Sequence, residues 1–318
     1  MYPNVTQSVV DNITTATNDT VVYPQTLQIV NCLLLVVVML VGTTANVLSF
    51  ATFVLEKSLR TPANIPLLFL AVVDGLMCGL VAPLYLARTY EFETSSGEGL
   101  CRIVSFFFVL NINASACLIA VVGVFRVITV VYTDVFLRTV HPVISSCAVA
   151  VLSLSLATHY AIFPATTYQN CVNKLYKTPP VKDSVTEMIT VSLVMLSLVV
   201  VAVCYCKIYR KTRQHMLSVQ PNGLNNIVRV DVVTLRAAIL ILITFAISYI
   251  PLLVGVIWNR ASRPPSGIIL LKTMAFSIVL TGSMLNPFIY ITTSSSFRKA
   301  IKSTCRRIFC CEVVRRWK

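Results

Sequence analysis

The chain has 318 residues, of which 56% are hydrophobic and only 12% are charged, and its mean hydropathy is +0.80. A soluble domain carries about 25% charged residues, so this composition excludes a soluble globular protein and indicates a membrane protein. The net charge of +14 reflects basic residues on one side of the membrane that attract anionic lipid, and nucleic acid is not an expected partner.

Seven apolar runs are each long enough to cross a membrane, which takes about 20 residues. These spans 1 to 7 lie near 27–53, 65–88, 103–132, 143–165, 185–206, 237–258 and 267–291. The predicted fold is therefore an all-α membrane protein with a seven-transmembrane helix bundle. We divide the chain into an extracellular glycosylated tail (1–26), the bundle (27–291) and a cytoplasmic segment (292–318) with a short amphipathic helix and a basic tail.

Lysine and arginine set the predicted orientation. They are concentrated in the loops that follow spans 1, 3 and 5 and in the C-terminal segment, whereas residues 1–26 contain none. Short cytoplasmic loops carry such an excess, so the N-terminus is predicted to be outside and the C-terminus inside. This arrangement requires an odd number of spans and agrees with seven. We expect a multi-pass protein of the plasma membrane.

The N-terminal tail contains three Asn-x-Ser/Thr sites, at Asn4, Asn12 and Asn18. Three acceptors in a short polar tail on the predicted outer face indicate glycosylation. A fourth site, at Asn113, lies inside span 3 and cannot be glycosylated there.

Five of the eleven cysteines stand apart from the apolar spans. Cys101 opens span 3 and Cys171 lies in the outer loop after span 4. Both face an oxidising compartment, so we expect a Cys101–Cys171 disulfide. Cys305, Cys310 and Cys311 follow span 7 among basic residues, where palmitoylation is expected. The alternative for these three is that they remain reduced thiols.

Span 7 contains a proline next to an amide, in the run Asn286-Pro287-Phe288-Ile289-Tyr290. A proline removes one helical hydrogen bond, and lipid offers no replacement partner for the freed carbonyl. Polar groups at this depth usually face the bundle interior and serve a site or a switch.

Five further motifs with polar residues or a proline lie in spans 1, 2, 3, 5 and 6. They are Gly42-Thr43-Thr44-Ala45-Asn46-Val47, Leu70-Ala71-Val72-Val73-Asp74, Cys101 with Arg126, Tyr205 with Ile208, and Phe245-Ala246-Ile247-Ser248-Tyr249-Ile250-Pro251. In this order the chain resembles the rhodopsin-like (class A) G-protein-coupled receptors over about residues 27–305. The resemblance implies a receptor, not an enzyme, that transmits binding of an extracellular ligand to a cytoplasmic heterotrimeric G-protein.

The resemblance assigns a polar network to Asp74, Asn111, Ser115 and Asn286, which in the family hold a sodium ion and water. Asn111 and Ser115 are four residues apart and share one face of span 3. Oxygen ligands suit a hard cation, so an allosteric sodium ion is the one small ligand expected besides the agonist, and no other cofactor is expected. The alternative is a water-filled hydrogen-bond network without a specific ion.

The resemblance also implies an activation switch. Its residues are Arg126, Asp231, Tyr205, Tyr249, Pro251, Pro287 and Tyr290. In the family, the positions of Arg126 and Asp231 form an inactive-state ion pair whose breakage lets span 6 swing outward. Two tyrosines, Tyr205 and Tyr290, would then support the arginine, and the prolines are the hinges.

Two departures from the family bear on function. Phe125 replaces the acid that normally precedes the arginine, which indicates elevated basal activity or altered coupling. Tyr249 replaces the usual tryptophan of span 6, as in odorant-receptor-like members, yet the outer loop after span 4 is too short for a typical vertebrate odorant receptor.

The expected ligand pocket is apolar and aromatic. Its residues are Phe107, Phe108, Asn111, Tyr249 and Leu280, and they favour a small, largely apolar ligand. Phe108 occupies the aspartate position of amine receptors, and Leu280 occupies the lysine position of opsins, so neither ligand class is expected.

Several functions remain open at this stage. They are a chemosensory (odorant-like) receptor, a peptide or lipid receptor, and an atypical receptor that is constitutively active or uncoupled from G-protein. A seven-span transporter or channel would require a continuous polar lining, which the clustered polar residues do not provide.

Overall fold

The structure is a computed structural model that describes residues 25–90, 97–132, 138–162, 185–218, 239–254 and 266–315. Within these ranges the regular elements are helices, and none of the residues described is in a strand. Six helices are long and apolar enough to cross a membrane, and a seventh apolar helix is shorter. The predicted all-α, seven-span fold is therefore confirmed.

The helices follow the predicted spans in order. Span 1 consists of Gln25–Val37 and Thr43–Leu55, joined by a π-helical turn at Val38–Gly42. Span 2 follows a 3₁₀ turn at Lys57–Leu59 and consists of Ile65–Leu76 and Ala82–Tyr90, joined by a π-helical turn at Met77–Val81. Spans 3 to 7 and the C-terminal helix are Gly97–Val131, Val140–Ile162, Val185–Ser218, Ile239–Val254, Ser266–Thr293 and Ser295–Arg315.

Span 3 occupies the centre of the bundle and packs against spans 2, 4 and 5. The apolar side chains on the outer faces remain uncovered, as at Leu33 and Val151, which are 62% and 65% exposed. Large apolar side chains at this exposure are expected where lipid is the solvent. By contrast, Asp74, Asn111, Ser115 and Asn286 are buried inside the bundle, and these four residues form the candidate site.

Two π-helical turns bring spans 1, 2 and 7 unusually close together. A π turn carries one extra residue and is often found at functional sites. At Gly42, which ends the first π turn, an added Cβ would lie 2.6 Å from Cys78 Sγ and 3.2 Å from Met284 Cβ. Glycine is required there because any larger side chain would push three helices apart.

The C-terminal helix begins with a side-chain cap and is anchored by one aromatic residue. The Phe297 amide donates to Ser294 Oγ at 3.2 Å, the usual geometry of a serine N-cap. The Phe297 ring is 2% exposed and lies 5.2 Å from the ring of Phe53 in span 1. Arg298 donates to the last carbonyls of span 7, those of Ile291 and Thr292, both at 2.9 Å. The helix has 21 residues and is therefore longer than the short helix expected from the sequence.

Several predicted residues lie beyond what the structure describes. Asn4, Asn12, Asn18, Cys171 and Asp231 lie outside the described ranges, as do the side chains of Cys101, Cys310 and Cys311. Cys305 is described and is partly exposed on the C-terminal helix. The disulfide, the glycosylation sites, the ion pair with Asp231 and the acylation sites stay predictions.

Candidate functional site

The four residues predicted to form a polar network meet around one carboxylate. Asp74 is 0% exposed. Its Oδ1 accepts hydrogen bonds from Ser115 Oγ at 3.1 Å and from Asn111 Nδ2 at 3.4 Å, and its Oδ2 accepts one from Asn286 Nδ2 at 2.6 Å. Asn111 Nδ2 also lies 3.3 Å from Ser115 Oγ. Spans 2, 3 and 7 are thus joined by one buried polar cluster.

Local sequence explains how the cluster assembles. Asp74 lies in the last turn of Ile65–Leu76, just before the π-helical turn of span 2. Asn111 and Ser115 are one helical turn apart, so both point toward span 2. A buried carboxylate is costly unless it is well hydrogen-bonded, and three donors from two other helices meet that requirement. Separation of these helices would therefore leave the Asp74 carboxylate without its hydrogen-bond donors.

Asn46 satisfies the carbonyl that the span 7 proline leaves without a donor. Pro287 has no N–H, so the carbonyl of Ser283, four residues earlier, loses its helical partner. Asn46 Nδ2 donates to that carbonyl at 3.2 Å and to the Gly42 carbonyl at 2.9 Å. Asn46 is 1% exposed. Span 1 therefore stabilises span 7 at Pro287, next to the polar cluster.

A small polar cavity adjoins Asn286 and Ser115. Its volume is about 20 Å³, and a site of about 10–15 Å³ measured in this way holds one water molecule. Its lining includes hydroxyl groups from spans 3, 6 and 7, those of Ser115, Ser248, Tyr249 and Ser283. The cavity can hold a water molecule or a small cation beside the cluster.

Arg126 lies at the inner end of span 3 beside two buried tyrosines. Tyr205 and Tyr290 are 3% and 5% exposed, and the arginine is close enough for its charge to act on both hydroxyl groups. Among the described residues, the Tyr205 hydroxyl has no hydrogen-bond partner. Phe125 is 6% exposed, so an apolar ring fills the space beside the arginine.

A second, larger cavity lies between spans 3, 4, 5 and 6, and we call it the outer cavity. Its volume is about 110 Å³. It is lined by Phe108, Val109, Ile112, Tyr160, Glu187, Thr190, Val191, Val194, Leu252 and Leu253. Seven of these ten residues are apolar. A concave site of this composition is typical of a small-ligand pocket.

Three stacked aromatic rings connect the outer cavity with span 7. The Phe276 ring lies between those of Tyr85 and Phe108, with centroid distances of 4.0 and 4.1 Å and an interplanar angle of 19° on each side. Aromatic pairs contribute about 0.5–1.5 kcal/mol beyond burial. A ring that lines the cavity is thus in direct contact with the helix that carries Asn286.

The five predicted pocket residues fall in different places among the cavities and clusters of the described residues. Phe108 lines the outer cavity, whereas Tyr249 lines the polar cavity and Asn111 belongs to the polar cluster. Leu280 is 0% exposed and packs with Phe107 in an apolar cluster of spans 1, 2, 3 and 7. Phe108 also packs against that apolar cluster, so its ring lies between the outer cavity and the cluster.

Sequence reasoning missed several residues of the site. Asn46 was noted only as part of a motif, although a buried amide in an apolar span was a signal that it has a polar partner. Phe276 gives no signal of its own, since an aromatic residue in span 7 is common. Its contact with Phe108 emerges only from the packing of helices distant in sequence.

Comparison with known proteins places the chain among receptors. It is 24% identical to the neuropeptides B/W receptor type 2 of Bos taurus over 85% of this chain and 83% of that protein. It is 26% identical to the human type-2 angiotensin II receptor over 85% of this chain and 78% of that protein. It is 27% identical to the human uracil nucleotide/cysteinyl leukotriene receptor over 80% of this chain and 71% of that protein.

The family assignment rests on a family model that matches more than half of the chain. A family model described as the seven-transmembrane receptors of the rhodopsin family matches residues 45–290. This range includes all four residues of the polar cluster and Arg126. Members of this family are receptors and not enzymes. The chain therefore belongs to the rhodopsin family of seven-transmembrane receptors.

Proposed function

We propose that this receptor transmits binding of an extracellular ligand to a heterotrimeric G-protein on the cytoplasmic side. The observation that carries the proposal is the Asp74 cluster, which joins spans 2, 3 and 7 immediately beside Pro287. A buried polar cluster across three helices next to a kink is a bistable element. A ligand that binds one of its packings more tightly raises the population of that packing at the expense of the other.

The ligand end of this route is the outer cavity. A ligand there contacts Phe108, which stacks on Phe276, and Phe276 lies on the same helix as Asn286. A displaced Phe108 ring therefore changes the packing of span 7 against span 3. The cavity accepts a small ligand that is largely apolar, in agreement with its lining.

The inner end of the route is Arg126. Opening of the bundle at this end would let Tyr205 and Tyr290 reach the guanidinium and would expose a cleft for the G-protein. Phe125 offers no acid to hold the Arg126 guanidinium, so the inactive packing lacks one restraint. We therefore expect higher basal signalling than in a variant with an acid at position 125. An ion pair at this partly solvated depth is worth about 1 kcal/mol, which biases a bistable bundle without locking it.

The Asp74 cluster and the adjoining cavity support a sodium ion as a stabiliser of the inactive packing. The carboxylate, hydroxyl and amide oxygens are ligands that a hard cation prefers. Asn111 Oδ1 is buried and has no hydrogen-bond partner among the described residues, so it is one oxygen available to an ion or a water. An ion there would draw spans 2, 3 and 7 together.

The relatives favour a ligand other than an odorant. Two of those compared are named for a neuropeptide and for angiotensin II, and a third is named for nucleotides and a leukotriene. A peptide or lipid signal is therefore the main alternative to a small molecule. The odorant-like possibility rests on Tyr249 and on the short inner loop at about 214–228.

The remaining parts of the proposal concern the cell surface. We place the protein in the plasma membrane, with Asn4, Asn12 and Asn18 glycosylated and Cys101 bonded to Cys171. The C-terminal helix would lie on the inner leaflet. Its cysteines Cys305, Cys310 and Cys311 would be palmitoylated, and Cys305 is partly exposed.

A cell-based second-messenger assay tests the proposal. Cells that express the receptor are challenged with a panel of peptides, lipids, nucleotides and small amines, and Arg126→Ala serves as the control at matched surface expression. A ligand response that is lost in Arg126→Ala supports G-protein signalling. Responses and basal output identical in both proteins, in cells with each major class of G-protein, would refute it.

A further inference from the structure

The outer cavity has room for one small ring. Its volume is about 110 Å³, and an engineered apolar cavity of about 150 Å³ binds benzene. Three of the residues that line it carry a polar group, namely Tyr160, Glu187 and Thr190. Tyr160 and Glu187 have interaction partners of their own within the protein. The hydrogen-bonding capacity that is left for a ligand therefore has to be sought at Thr190.

Asn113 fixes the direction of the hydrogen bond that it shares with Thr190. Asn113 of span 3 is 0% exposed, and its Nδ2 donates to the Val109 carbonyl at 2.9 Å. Because a carbonyl oxygen only accepts, the nitrogen of the Asn113 amide and not its oxygen must face Val109. The same nitrogen donates to Thr190 Oγ1 at 3.1 Å. The threonine oxygen is therefore the acceptor in this bond, and the hydroxyl hydrogen remains free to be donated.

The Thr190 hydroxyl hydrogen has no acceptor among the described residues. Thr44 and Thr281 each donate to the carbonyl four residues earlier in their own helices. Thr190 is turned to Asn113 instead, and within the described ranges that contact is its one hydrogen bond. Its side chain is half-buried and lines the outer cavity. A single unused donor in an otherwise apolar wall is the kind of group that orients a ligand in its pocket.

We propose that the outer cavity selects an uncharged, ring-sized apolar ligand that carries one hydrogen-bond acceptor, such as a carbonyl oxygen. Thr190 donates to that oxygen and is the specificity-determining residue, and Asn113 is the positioning residue that keeps the hydroxyl hydrogen available. The apolar part of the ligand lies against Phe108, Ile112 and Leu253. A charged ligand would lose its hydration among these apolar walls, and a ligand without an acceptor would leave the hydroxyl without a partner.

This inference rests on the proposed function only in taking the outer cavity as the ligand site. Thr190 and Asn113 also join spans 5 and 3, and that contact stabilises the bundle regardless of any ligand. The two roles differ in one respect that can be measured. A role confined to stability lowers the Tm when Thr190 is replaced but does not alter the choice between two ligands of the same shape.

Binding to the purified, full-length receptor in lipid nanodiscs tests the inference without any signalling step. The probes are acetophenone and α-methylstyrene, which have nearly the same shape and differ in having a carbonyl oxygen or a methylene carbon at one position. The readout is the ratio of their dissociation constants, obtained from the ligand-induced shift in Tm. The different solubilities of the probes in water and lipid are the same for every variant, so they cancel when ratios are compared. We expect Thr190→Val to change the ratio against acetophenone by about 2–12-fold, the range that one neutral hydrogen bond corresponds to.

Three further variants separate the hydroxyl group from its surroundings. Thr190→Ser keeps the donor and should retain the ratio of the unmodified receptor. Asn113→Leu should change the ratio in the same direction as Thr190→Val, because the released hydroxyl can then donate to the Thr186 carbonyl four residues earlier. Thr212→Val is the matched control, since Thr212 is a buried threonine at the inner end of the same helix, and it should leave the ratio unchanged.

A ratio that is the same before and after Thr190→Val would overturn the inference. Tighter binding of the charged analogues benzoate or benzamidinium than of acetophenone would overturn it as well, as would the absence of any Tm shift with acetophenone. Absence of G-protein signalling in cells, with the effect of Thr190→Val on the ratio intact, would refute the proposed function and leave the inference standing.

Discussion

Gly282→Ala should separate spans 6 and 7 at the level of the polar cavity. An added Cβ at Gly282 would collide with Ser248 Oγ and would lie 3.1 Å from Ser248 Cβ. Carbon atoms pack best at about 3.5–4.0 Å, so the helices must part by about 0.4–0.9 Å. The Ser248 Cβ is fixed to its backbone, and a rotation of the hydroxyl alone cannot relieve the contact.

Two opposing effects set the magnitude. Overpacking costs about 1–3 kcal/mol, whereas replacement of glycine by alanine inside a helix contributes about 1 kcal/mol of stability. The net loss for the inactive packing is therefore about 0–2 kcal/mol in a measurement of thermal stability. If outward movement of span 6 removes the collision, the active population rises by about 5–150-fold, the range that 1–3 kcal/mol corresponds to.

The assay is ligand-independent second-messenger output at matched surface expression, together with the Tm of the purified receptor. Gly99→Ala is the control, since an added Cβ there meets no atom within 4 Å and should only stabilise span 3. Ser248→Gly in the Gly282→Ala background should restore the original basal output. A Gly282→Ala protein that is stabilised as much as Gly99→Ala, with unchanged basal output, would refute the reasoning.

Three further predictions concern other parts of the bundle. Phe125→Asp should lower ligand-independent signalling several-fold, because the new carboxylate restrains Arg126, and unchanged basal output in the second-messenger assay would contradict this role. Asp74→Asn should remove any effect of sodium on agonist affinity, measured as dissociation constants in sodium and in choline chloride; a sodium effect that survives would exclude the cluster as the ion site. Phe297→Ala should lower the Tm of the purified receptor, since a buried phenylalanine truncated to alanine costs about 3–5 kcal/mol in a well-packed core, and an unchanged Tm would show that the contact with Phe53 contributes little.

The positions of the spans and the residues of the polar cluster could be predicted from the sequence. Apolar runs determine where helices cross the membrane, and each polar residue inside such a run needs a partner, which made Asp74 and Asn286 conspicuous. The partner of a particular backbone carbonyl was not predictable, and Asn46 was identified only from the geometry around Pro287. A contact between spans 1 and 7 depends on helix rotation and on π-helical turns, which leave no periodic signal in sequence.

The ligand site was the least predictable part. The five expected pocket residues are those at the motif positions, and the structure places them in the outer cavity, in an apolar cluster, in the polar cluster and beside the polar cavity. Only the packing of spans 3, 4, 5 and 6 shows that Phe108 faces a cavity.

The outer cavity and the polar cavity have no lining residue in common. A ligand in the first and an ion beside Asp74 therefore cannot exclude each other by occupying the same space. Any antagonism between them is transmitted through the helices, and it must be reciprocal and finite. As the sodium concentration rises, the agonist concentration that gives a half-maximal response should therefore increase only up to a limit. Direct competition for one site would increase it without limit.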